Sequence, residues 1–522
     1  MEAQKYPIGI QSFPELIEEG YRYVDKTRFV GELVKEGKYI FLSRPRRFGK
    51  SLLLSTIHAY FDGKRELFKG LALEKMDMDW TPSPVLHFDL NSGVFDNEDG
   101  LLTRLDNSLA FYEEQYGVET NDRSRNAIPI RLERIIKAAY NQTARKVVIL
   151  VDEYDKPLLG IEENKDVFEK NQVLLKGFYG NLKSMDAYIK FALLTGVTRF
   201  NKVSIFSDVN NLKDISMYER YAEICGWTEE ELKHYFQPGI QALAFKRNEK
   251  FEDTLATLRN YYDGYLFSEE GNRLYNPFSV LMALDSQRIK PYWFETATPT
   301  FLAKRVKANG IDPASLNGET STYKELVNIG LGTGNPIPLM FQTGYLTIAR
   351  YDNVRDRYEL RFPNREVEIG FAEYLLPLYM PNAQRGDSVF SLQHFQNDLF
   401  NGKPQMFMQR FETLLKDLPV GDQSESTYRA LTYLLCILSG TNSIAERHSY
   451  KGRSDLEVST PDYIYVFEFK YNRSVKEALK QIHDRDYAGR FKLSNQKIFL
   501  IGANFTENKN NRGLKYKIEE FN

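Results

Sequence analysis

Short runs of apolar residues alternate with amphipathic stretches along the first part of the chain. The apolar runs predict buried strands, and they lie at residues 38–43, 84–90, 146–151 and 188–194. The stretches between them place apolar residues at helical spacing, as at residues 50–61, 130–140 and 167–185. Strands of continuous apolar character that alternate with helices are typical of a parallel sheet covered on both faces. The pattern therefore predicts an N-terminal α/β domain.

The pattern changes further along the chain. Residues 228–262 have helical spacing, residues 263–350 are rich in Gly, Pro and Asn turns, and residues 385–405 read as a loose connection. From residue 422 the order is helix, two strands, helix and strand, which predicts a second α/β unit. A chain of 522 residues is too long for one hydrophobic core. We expect three regions, at residues 1–227, 228–390 and 391–522.

Composition narrows the class of protein. The formal net charge is −2, so any contact with nucleic acid must come from a local basic patch. Two distant cysteines, Cys225 and Cys436, exclude a disulfide framework, and six scattered histidines argue against a structural zinc site. The N-terminus lacks the features of a signal peptide, and the longest apolar run, residues 431–440, is too short to span a bilayer. These features predict a cytoplasmic protein without a membrane segment.

A candidate phosphate loop follows the first predicted strand. The stretch RPRRFGKS (44–51) ends in Gly49-Lys50-Ser51 and leads directly into a predicted helix. Lys50 can reach the β- and γ-phosphates, Ser51 can bind Mg²⁺, and the turn directs backbone N–H groups at an anion. The strict pattern requires glycine six positions before the lysine, where this chain has Arg44. The tripeptide alone is common enough to occur by chance, so its neighbours must decide.

The third predicted strand supplies the second half of a nucleotide site. The stretch VVILVDE (147–153) is apolar and ends in two carboxylates. Asp152 would hold the Mg²⁺ shell, and Glu153 would polarise the attacking water. After the fourth strand, TGVTRF (195–200) offers Thr198 or Arg199 as a sensor of the γ-phosphate, with an ordinary turn as the alternative. The two halves in this order predict a nucleoside triphosphate site.

A second constellation lies in GRSDLEVSTPDYIYVFEFK, residues 452–470. A hairpin centred between Thr460 and Pro461 would pair Asp455 with Val466 and place Asp455, Glu468 and Lys470 on one face. Two carboxylates a pleat apart can share a divalent ion, and a neighbouring lysine can orient the attacking water. A solvated face with a Glu–Lys ion pair is an equal reading of these residues alone.

The motifs taken together resemble a known family. The stretches YPIGIQSFPELI, YVDKT (23–27), RPRRFGKS (44–51) and LVDEYDKP (150–157) resemble the AAA-ATPase-like family common in bacteria, notably in Bacteroidetes. The resemblance covers residues 5–215 and 420–505, and in this family RPRRFGKS is the usual form of the loop. It implies an AAA-like P-loop NTPase sheet, then a helical, winged-helix-like middle. A C-terminal restriction-endonuclease-like α/β domain of the PD-(D/E)XK class would follow.

The resemblance also implies roles for residues outside the main motifs. Glu425 would support the nuclease metal, although Asp422 and Glu425 also have the spacing of a helix capping box. Gln481 would border the nuclease site, or be a solvated glutamine. Glu446 would be a further acidic member or an exposed strand charge. The two remaining candidates, His448 and His483, are isolated in polar surroundings and are expected to be surface histidines.

The predicted function follows from both constellations. ATP would contact the residues Arg47, Phe48, Gly49, Lys50, Ser51, Leu52, Asp152 and Arg199. Mg²⁺, or Mn²⁺ at the second site, would serve a phosphodiesterase acting on nucleic acid, with DNA favoured over RNA. The alternative is a nucleotide-driven switch whose nuclease-like domain only binds nucleic acid or a partner. Because AAA-like ATPases often borrow an arginine from a neighbouring subunit, a homo-oligomer is compatible with this prediction.

Overall fold

The computed structural model describes most of the chain in two compact units. The described residues are 5–161, 164–199, 206, 209, 211–295, 300–327, 334–380, 391–416, 424–449, 452–508 and 511–521. The first unit comprises Met1–Ala297, Thr320–Glu359 and Pro363–Glu366, and the second comprises Thr298–Glu319, Leu360–Phe362 and Val367–Asn522. The predicted middle region, residues 228–390, is thus divided between the two units.

Helices and strands alternate through much of the described chain. The helices are α1 (Phe13–Glu18), α2 (Thr27–Glu36), α3 (Lys50–Phe61), α4 (Gly100–Tyr116), α5 (Ile128–Thr143), α6 (Lys165–Ser184), α7 (Glu229–Arg247), α8 (Phe251–Tyr262), α9 (Pro277–Ser286), α10 (Thr300–Ala308), α11 (Tyr323–Val327), α12 (Ile337–Thr343), α13 (Arg365–Tyr379), α14 (Leu392–Phe400), α15 (Pro404–Leu415), α16 (Glu425–Leu438) and α17 (Val475–Asp484). The strands are β1 (Tyr39–Ser43), β2 (Val85–Asp89), β3 (Val147–Asp152), β4 (Ile189–Gly196), β5 (Lys213–Asp214), β6 (Thr320–Ser321), β7 (Thr347–Asp352), β8 (Arg357–Arg361), β9 (Asn442–Ser449), β10 (Gly452–Ser459), β11 (Tyr463–Tyr471), β12 (Lys497–Asn508) and β13 (Asn511–Phe521).

The first unit is built on a five-stranded parallel sheet with the order β2-β3-β4-β1-β5. Every residue of β1 and β3 is buried, as expected for strands covered on both faces. Apolar residues of α4, α5 and α6 pack with the sheet in one continuous core. This architecture confirms the predicted parallel α/β sheet. It also brings the carboxyl ends of β1, β3 and β4 to the same edge, where the candidate nucleotide residues follow.

A helical group follows the sheet within the first unit. Helices α7, α8 and α9 share an apolar core that includes Leu232, Leu258 and Leu284. Helix α7 begins with a complete capping box, in which Thr228 accepts from the Glu231 N–H and Glu231 accepts from the Thr228 N–H. The turn-rich stretch that follows contains helices α9–α12 as well as turns. Among the described residues, no helix combines the length and hydropathy needed to cross a membrane.

The second unit contains a mixed five-stranded sheet with the order β13-β12-β11-β10-β9. Strands β11 and β12 are parallel and are joined through α17, whereas the other neighbouring pairs are antiparallel. This α/β arrangement fits a nuclease-like fold. Strands β9 and β13, on the two edges, were not predicted from the sequence, and α14 replaces part of the predicted loose connection at 385–405.

The predicted hairpin register is wrong by one position on each strand. Glu457 pairs with Val466 and Ser459 with Ile464, so the turn is centred between Pro461 and Asp462. The bond from the Thr460 N–H to the Tyr463 carbonyl closes this turn. Because side chains alternate with a period of two residues, a shift of two in the pairing leaves each side chain on its predicted face. In the observed register Asp455 therefore lies towards Glu468 and not opposite Val466, the predicted partner.

Candidate functional sites

The loop after β1 has the backbone of an anion site. Gly49 has φ of 91°, which lets the chain turn into α3 without strain, while Arg47 holds φ of 68° without that freedom. The first turn of α3 has no side-chain cap, so its N–H groups and the positive end of the helix dipole point out of the helix. The Gly226 N–H donates to the Phe48 carbonyl, so a segment distant in the sequence also holds the loop.

Lys50 is held inside this loop. Its side chain is buried, and its Nζ donates to the carbonyls of Arg44 (3.1 Å) and Pro45 (3.3 Å). The same atom lies 3.3 Å from Glu153 Oε1. Lys50 therefore bonds to neutral carbonyl acceptors of its own loop and lies beside the Glu153 carboxylate.

Ser51 and Asp152 come together as the sequence predicts. The Ser51 hydroxyl donates to Asp152 Oδ2 at 2.5 Å. Asp152 Oδ1 accepts from the Thr195 hydroxyl (2.6 Å) and from the Glu153 N–H (3.0 Å), which fixes the carboxylate. A hydroxyl and a fixed carboxylate are oxygen ligands of the kind that Mg²⁺ takes beside a nucleotide, so these residues fit that ion.

Asp155 is a further member of this edge that sequence reasoning did not single out. It is fully buried and accepts from the Thr198 N–H and hydroxyl, both at 2.6 Å. Burial, reinforced by the charge of Glu153, raises the pKa of Asp155 to about 6. Asp155 is visible in the sequence as the last residue of DEYD. Its hydrogen bonds with Thr198, in the turn after β4, depend on the order of the strands in the sheet. Thr198 thus anchors that turn.

A cavity of about 330 Å³ opens in front of the loop. Its cationic lining consists of Arg22, Lys26, Arg46, Arg47, Lys50 and Lys156. Its apolar lining includes Ile10, Tyr23, Val24, Trp227, Phe278 and Leu281. Of the predicted ATP contacts, all except Asp152 and Arg199 line the cavity, and so does the predicted catalytic residue Glu153. A lining that combines several cations with aromatic and apolar side chains suits the phosphates and the base of a nucleotide.

Arg199 lies elsewhere. Its side chain is buried against Asp214, with Nε 3.0 Å from one carboxylate oxygen, and its N–H donates to Gln342. It does not line the cavity, so a nucleotide role for Arg199 requires movement and stays a prediction. Arg44 also turns away, because its guanidinium donates to carbonyls of Ser43, Ser216, Tyr221 and Ala222.

The second predicted constellation assembles in the second unit. Lys470 Nζ donates to Glu468 Oε1 (2.7 Å) and to the Phe469 carbonyl (2.9 Å). Asp455 Oδ2 accepts from the Phe469 N–H at 2.8 Å, which brings its carboxylate next to Glu468. Glu468 and Lys470 are buried, and 14% of the Asp455 side chain is exposed. The structure thus brings the three side chains together at one place.

Glu468 carries an orphaned oxygen. Its Oε2 is buried and has no hydrogen-bond partner among the described residues. Burial, followed by the charge of Asp455, raises the pKa of Glu468 to about 8. An unpartnered carboxylate oxygen beside a second carboxylate is destabilising without a cation. The residues present therefore fit a divalent ion.

The described residues contain no group of three or more His, Cys, Asp and Glu side chains close enough to hold a metal together. The fit therefore rests on Asp455 and Glu468, with other oxygens coming from water and substrate. Glu425 is nearby, and burial raises its pKa. Its capping-box reading is wrong, because Ser424 caps α16 and Glu425 is the first helical residue.

The remaining predicted residues lie around this site or outside it. Gln481 donates to the Tyr487 hydroxyl (3.3 Å), and the charges of Glu468 and Asp455 add to burial in raising the pKa of Tyr487. Tyr487, which the sequence did not single out, thus bonds to Gln481 and lies near enough to Glu468 and Asp455 to sense their charges. His483 is half exposed and pairs with Glu519, as expected of a surface histidine. The side chains of Glu446 and His448 lie outside the described residues.

Comparisons with known proteins agree with this two-part arrangement. Residues 7–206 match the family described as Predicted AAA-ATPase, and residues 423–515 match the PD-(D/E)XK nuclease superfamily. The chain is also 34% identical over 520 residues to a protein described as "Uncharacterized protein in vnfD 5'region" from Azotobacter chroococcum mcd 1. That similarity covers 97% of both chains. The first match contains the phosphate loop, and the second contains the Asp455 cluster.

Proposed function

Because this chain belongs to the family of predicted AAA-ATPases that carry a C-terminal PD-(D/E)XK nuclease superfamily domain, we propose that it hydrolyses ATP and cleaves nucleic acid. The first unit would bind ATP, and the second would cleave phosphodiester bonds, with DNA favoured over RNA. The contact between Ser51 and Asp152 supports the first activity. The orphaned oxygen of Glu468 beside Asp455 carries the second.

In the first unit, the loop residues bind and orient the triphosphate. Lys50 exchanges its bonds to the Arg44 and Pro45 carbonyls for bonds to phosphate oxygens, which are stronger because they are charge-assisted. Ser51 and Asp152 would hold Mg²⁺, which neutralises charge on the β- and γ-phosphates. Glu153, released from Lys50, accepts a hydrogen bond from the attacking water and aligns it.

ATP hydrolysis by wild type and by Glu153→Gln tests this activity. The variant keeps the size of the side chain but removes the charge that polarises water, so we expect phosphate release to fall by about 100-fold or more. Binding of a fluorescent ATP analogue should persist. If wild type binds the analogue but releases no phosphate, the first unit is a nucleotide-binding module without turnover.

In the second unit, Asp455 and the free Oε2 of Glu468 would hold Mg²⁺ or Mn²⁺. The ion supplies Lewis acidity towards the scissile phosphate. Lys470 stays positioned by Glu468 Oε1 and the Phe469 carbonyl. From there its ammonium orients the attacking water and offsets the negative charge that develops at phosphorus.

Cleavage of DNA and RNA by wild type and by Asp455→Ala tests the second activity. We expect cleavage by wild type to require Mg²⁺ or Mn²⁺, and the variant to lose it while ATP hydrolysis continues. Loss of cleavage in Asp455→Ala, with unchanged ATP hydrolysis, separates the two sites. If wild type cleaves neither nucleic acid yet hydrolyses ATP, the protein acts as a nucleotide-driven switch.

A further inference from the structure

A residue outside the predicted nuclease domain contacts Arg429, which lies near the carboxylate cluster. Asp312 belongs to the segment Thr298–Glu319, which is part of the second unit although it precedes the predicted domain. Its Oδ1 accepts from the Ala314 N–H (2.9 Å) and caps a short turn. Its Oδ2 accepts from Arg429, which lies on α16 one helical turn after Glu425.

Arg429 lies near the carboxylates of Asp312 and Asp455 and is much closer to that of Asp312. Its Nε and Nη2 lie 2.7 Å and 2.6 Å from Asp312 Oδ2. Its Nη1 lies 3.6 Å from Asp455 Oδ1, which is beyond hydrogen-bond distance. Only 14% of the Arg429 side chain and 8% of the Asp312 side chain are exposed, so water weakens these interactions little.

The difference in distance bears on how Asp455 binds a cation. A guanidinium in direct contact with Asp455 would neutralise this carboxylate and compete with a divalent ion for its oxygens. The charge of Asp312 offsets that of Arg429 and holds the guanidinium within hydrogen-bond distance of Asp312. Without that charge, Asp312 no longer opposes the attraction between the buried guanidinium and Asp455.

We propose that Asp312 is a positioning residue of the nuclease metal site, which holds Arg429 off Asp455 and thereby keeps Asp455 available to the divalent ion. This inference rests on the metal site of the proposed function. It adds Asp312 and Arg429 to that site, one of them from a segment that the sequence placed in the middle region.

Mn²⁺ binding to nucleotide-free protein tests the inference without any assay of cleavage. All variants carry Asp152→Asn, which removes the other candidate metal site, and free Mn²⁺ is followed by its paramagnetic resonance signal. Asp312→Asn keeps the acceptor for the Ala314 N–H but loses the charge. We expect it to weaken Mn²⁺ binding by about tenfold or more, the usual scale for residues that orient metal ligands.

The dependence on Arg429 distinguishes this role from a structural one. Arg429→Met removes the competing cation, so Mn²⁺ should bind at least as tightly as in the parent. In Asp312→Asn/Arg429→Met the loss seen in Asp312→Asn should disappear, whereas Asp312→Glu, which keeps the charge, should retain most of the affinity. An equal loss in Asp312→Asn with and without Arg429 would overturn the inference.

Two controls separate this outcome from failure of the metal site itself. Asp398→Asn breaks a similar ion pair in the same unit, Asp398 with Arg410 at 2.7 Å, and should leave Mn²⁺ binding unchanged. Asp455→Ala should abolish the binding. If Asp455→Ala has no effect, the proposed metal site is wrong; if it abolishes binding while Asp312→Asn matches the parent, only the inference is wrong.

Discussion

Arg44 takes the place where a strict phosphate loop has glycine, and its side chain serves the fold instead of the ligand. The guanidinium is fully buried, and burial lowers the pKa of Arg44 to about 10. It donates to four backbone carbonyls and lies 4.3 Å from the centre of the Phe267 ring. The arginine thus ties the start of the loop to the chain after β5. Its neighbour Arg46 is exposed and lines the cavity.

We predict opposite effects for these two arginines. Arg44→Met leaves buried carbonyls without donors and should lower the free energy of unfolding by about 3 kcal/mol. Arg46→Met should leave stability unchanged but weaken binding of an ATP analogue, because its charge faces the cavity. Urea unfolding and analogue titration measure both quantities in both variants. Equal stability of the two variants would contradict the structural role of Arg44.

The residues of each site were visible in the sequence to different degrees. Asp152 and Glu153 lie at the end of one strongly apolar strand, and Lys50 and Ser51 begin the helix after the loop that follows another, so the sheet order brings them to one edge. The contact of Asp312 with Arg429 joins residues 117 positions apart, and no local pattern encodes it. Long-range bonds of this kind depend on packing, which periodicity does not report.

Elements were predicted best where their pattern was strongest. The four predicted strands of the first unit match β1–β4 within two residues at each end, and the predicted helix 50–61 matches α3. Continuous apolar runs are required by burial on both faces, so the signal is strong. Strands β9 and β13 lie at the edges of their sheet and mix polar with apolar residues. The hairpin register failed because the turn chemistry of TPDY places Pro461 at the first central position.

An ion pair between α7 and α8 gives a prediction for low pH. Arg259 donates to both oxygens of Glu229, at 2.6 Å and 2.8 Å. This bond, with that from Lys233, outweighs burial and lowers the pKa of Glu229 to about 2 from an ordinary value of 4.5. A lowered pKa means that the ionised form stabilises the fold. This stabilisation is present above pH 4.5 and is lost as the pH falls towards 2.

Glu229→Gln should therefore be less stable than wild type at pH 6, and the difference should shrink below pH 4.5. Solvent screening reduces the effect, so we expect a difference of about 1 kcal/mol. Urea unfolding at a series of pH values measures it. Lys137→Gln, which removes an exposed pair with Glu133 on α5, serves as the control and should change the stability less than Glu229→Gln does at pH 6. A constant difference across the series would contradict the prediction.

Helix α17 approaches β12 closely at Gly502. A Cβ at this position would lie 2.8 Å from Leu479 Cγ and 3.1 Å from the Leu479 backbone nitrogen. We expect Gly502→Ala to push α17 away and to lower the stability of the second unit by about 1–3 kcal/mol. Gly180→Ala on α6 meets no atom within 4 Å and should raise stability by about 0.5–1 kcal/mol. Hydrogen exchange of peptides covering α17 and α6 measures the local effect of each variant relative to wild type. Slower exchange of α17 in Gly502→Ala than in wild type would contradict the prediction.

At the scale of the whole molecule, the chain passes between its two units at several points. It leaves the first unit after Ala297, after Glu359 and after Glu366. Trp293 lies just before the first of these points. Its indole N–H donates to the Arg46 carbonyl at 3.3 Å, and its backbone N–H donates to Glu366 Oε1 at 2.9 Å. One tryptophan therefore bonds both to the loop that would bind phosphate and to Glu366, the last residue before the chain leaves the first unit for the final time.

We predict that Trp293 transmits the nucleotide state of the loop to these connections. Lys50 must exchange its carbonyl acceptors when phosphate binds, and a change in the loop backbone acts on the Arg46 carbonyl. Trp293→Phe keeps the aromatic packing on Tyr345 but removes the indole donor. We expect the variant to lose any effect of an ATP analogue on nucleic-acid cleavage while retaining ATP hydrolysis and basal cleavage within about twofold.

Trp80→Phe is the matched control, because Trp80 packs on Tyr60 and Phe68 and makes no bond to the loop. Cleavage is measured with and without the analogue in wild type and both variants. A link between the two sites would pass through groups that differ between the two nucleotide states, and Trp293→Phe deletes the indole bond to the Arg46 carbonyl. If the analogue changes cleavage equally in wild type and Trp293→Phe, the connection at Glu366 acts without Trp293. If Trp80→Phe also loses the response, loosening of the unit as a whole accounts for it and the specific route is wrong.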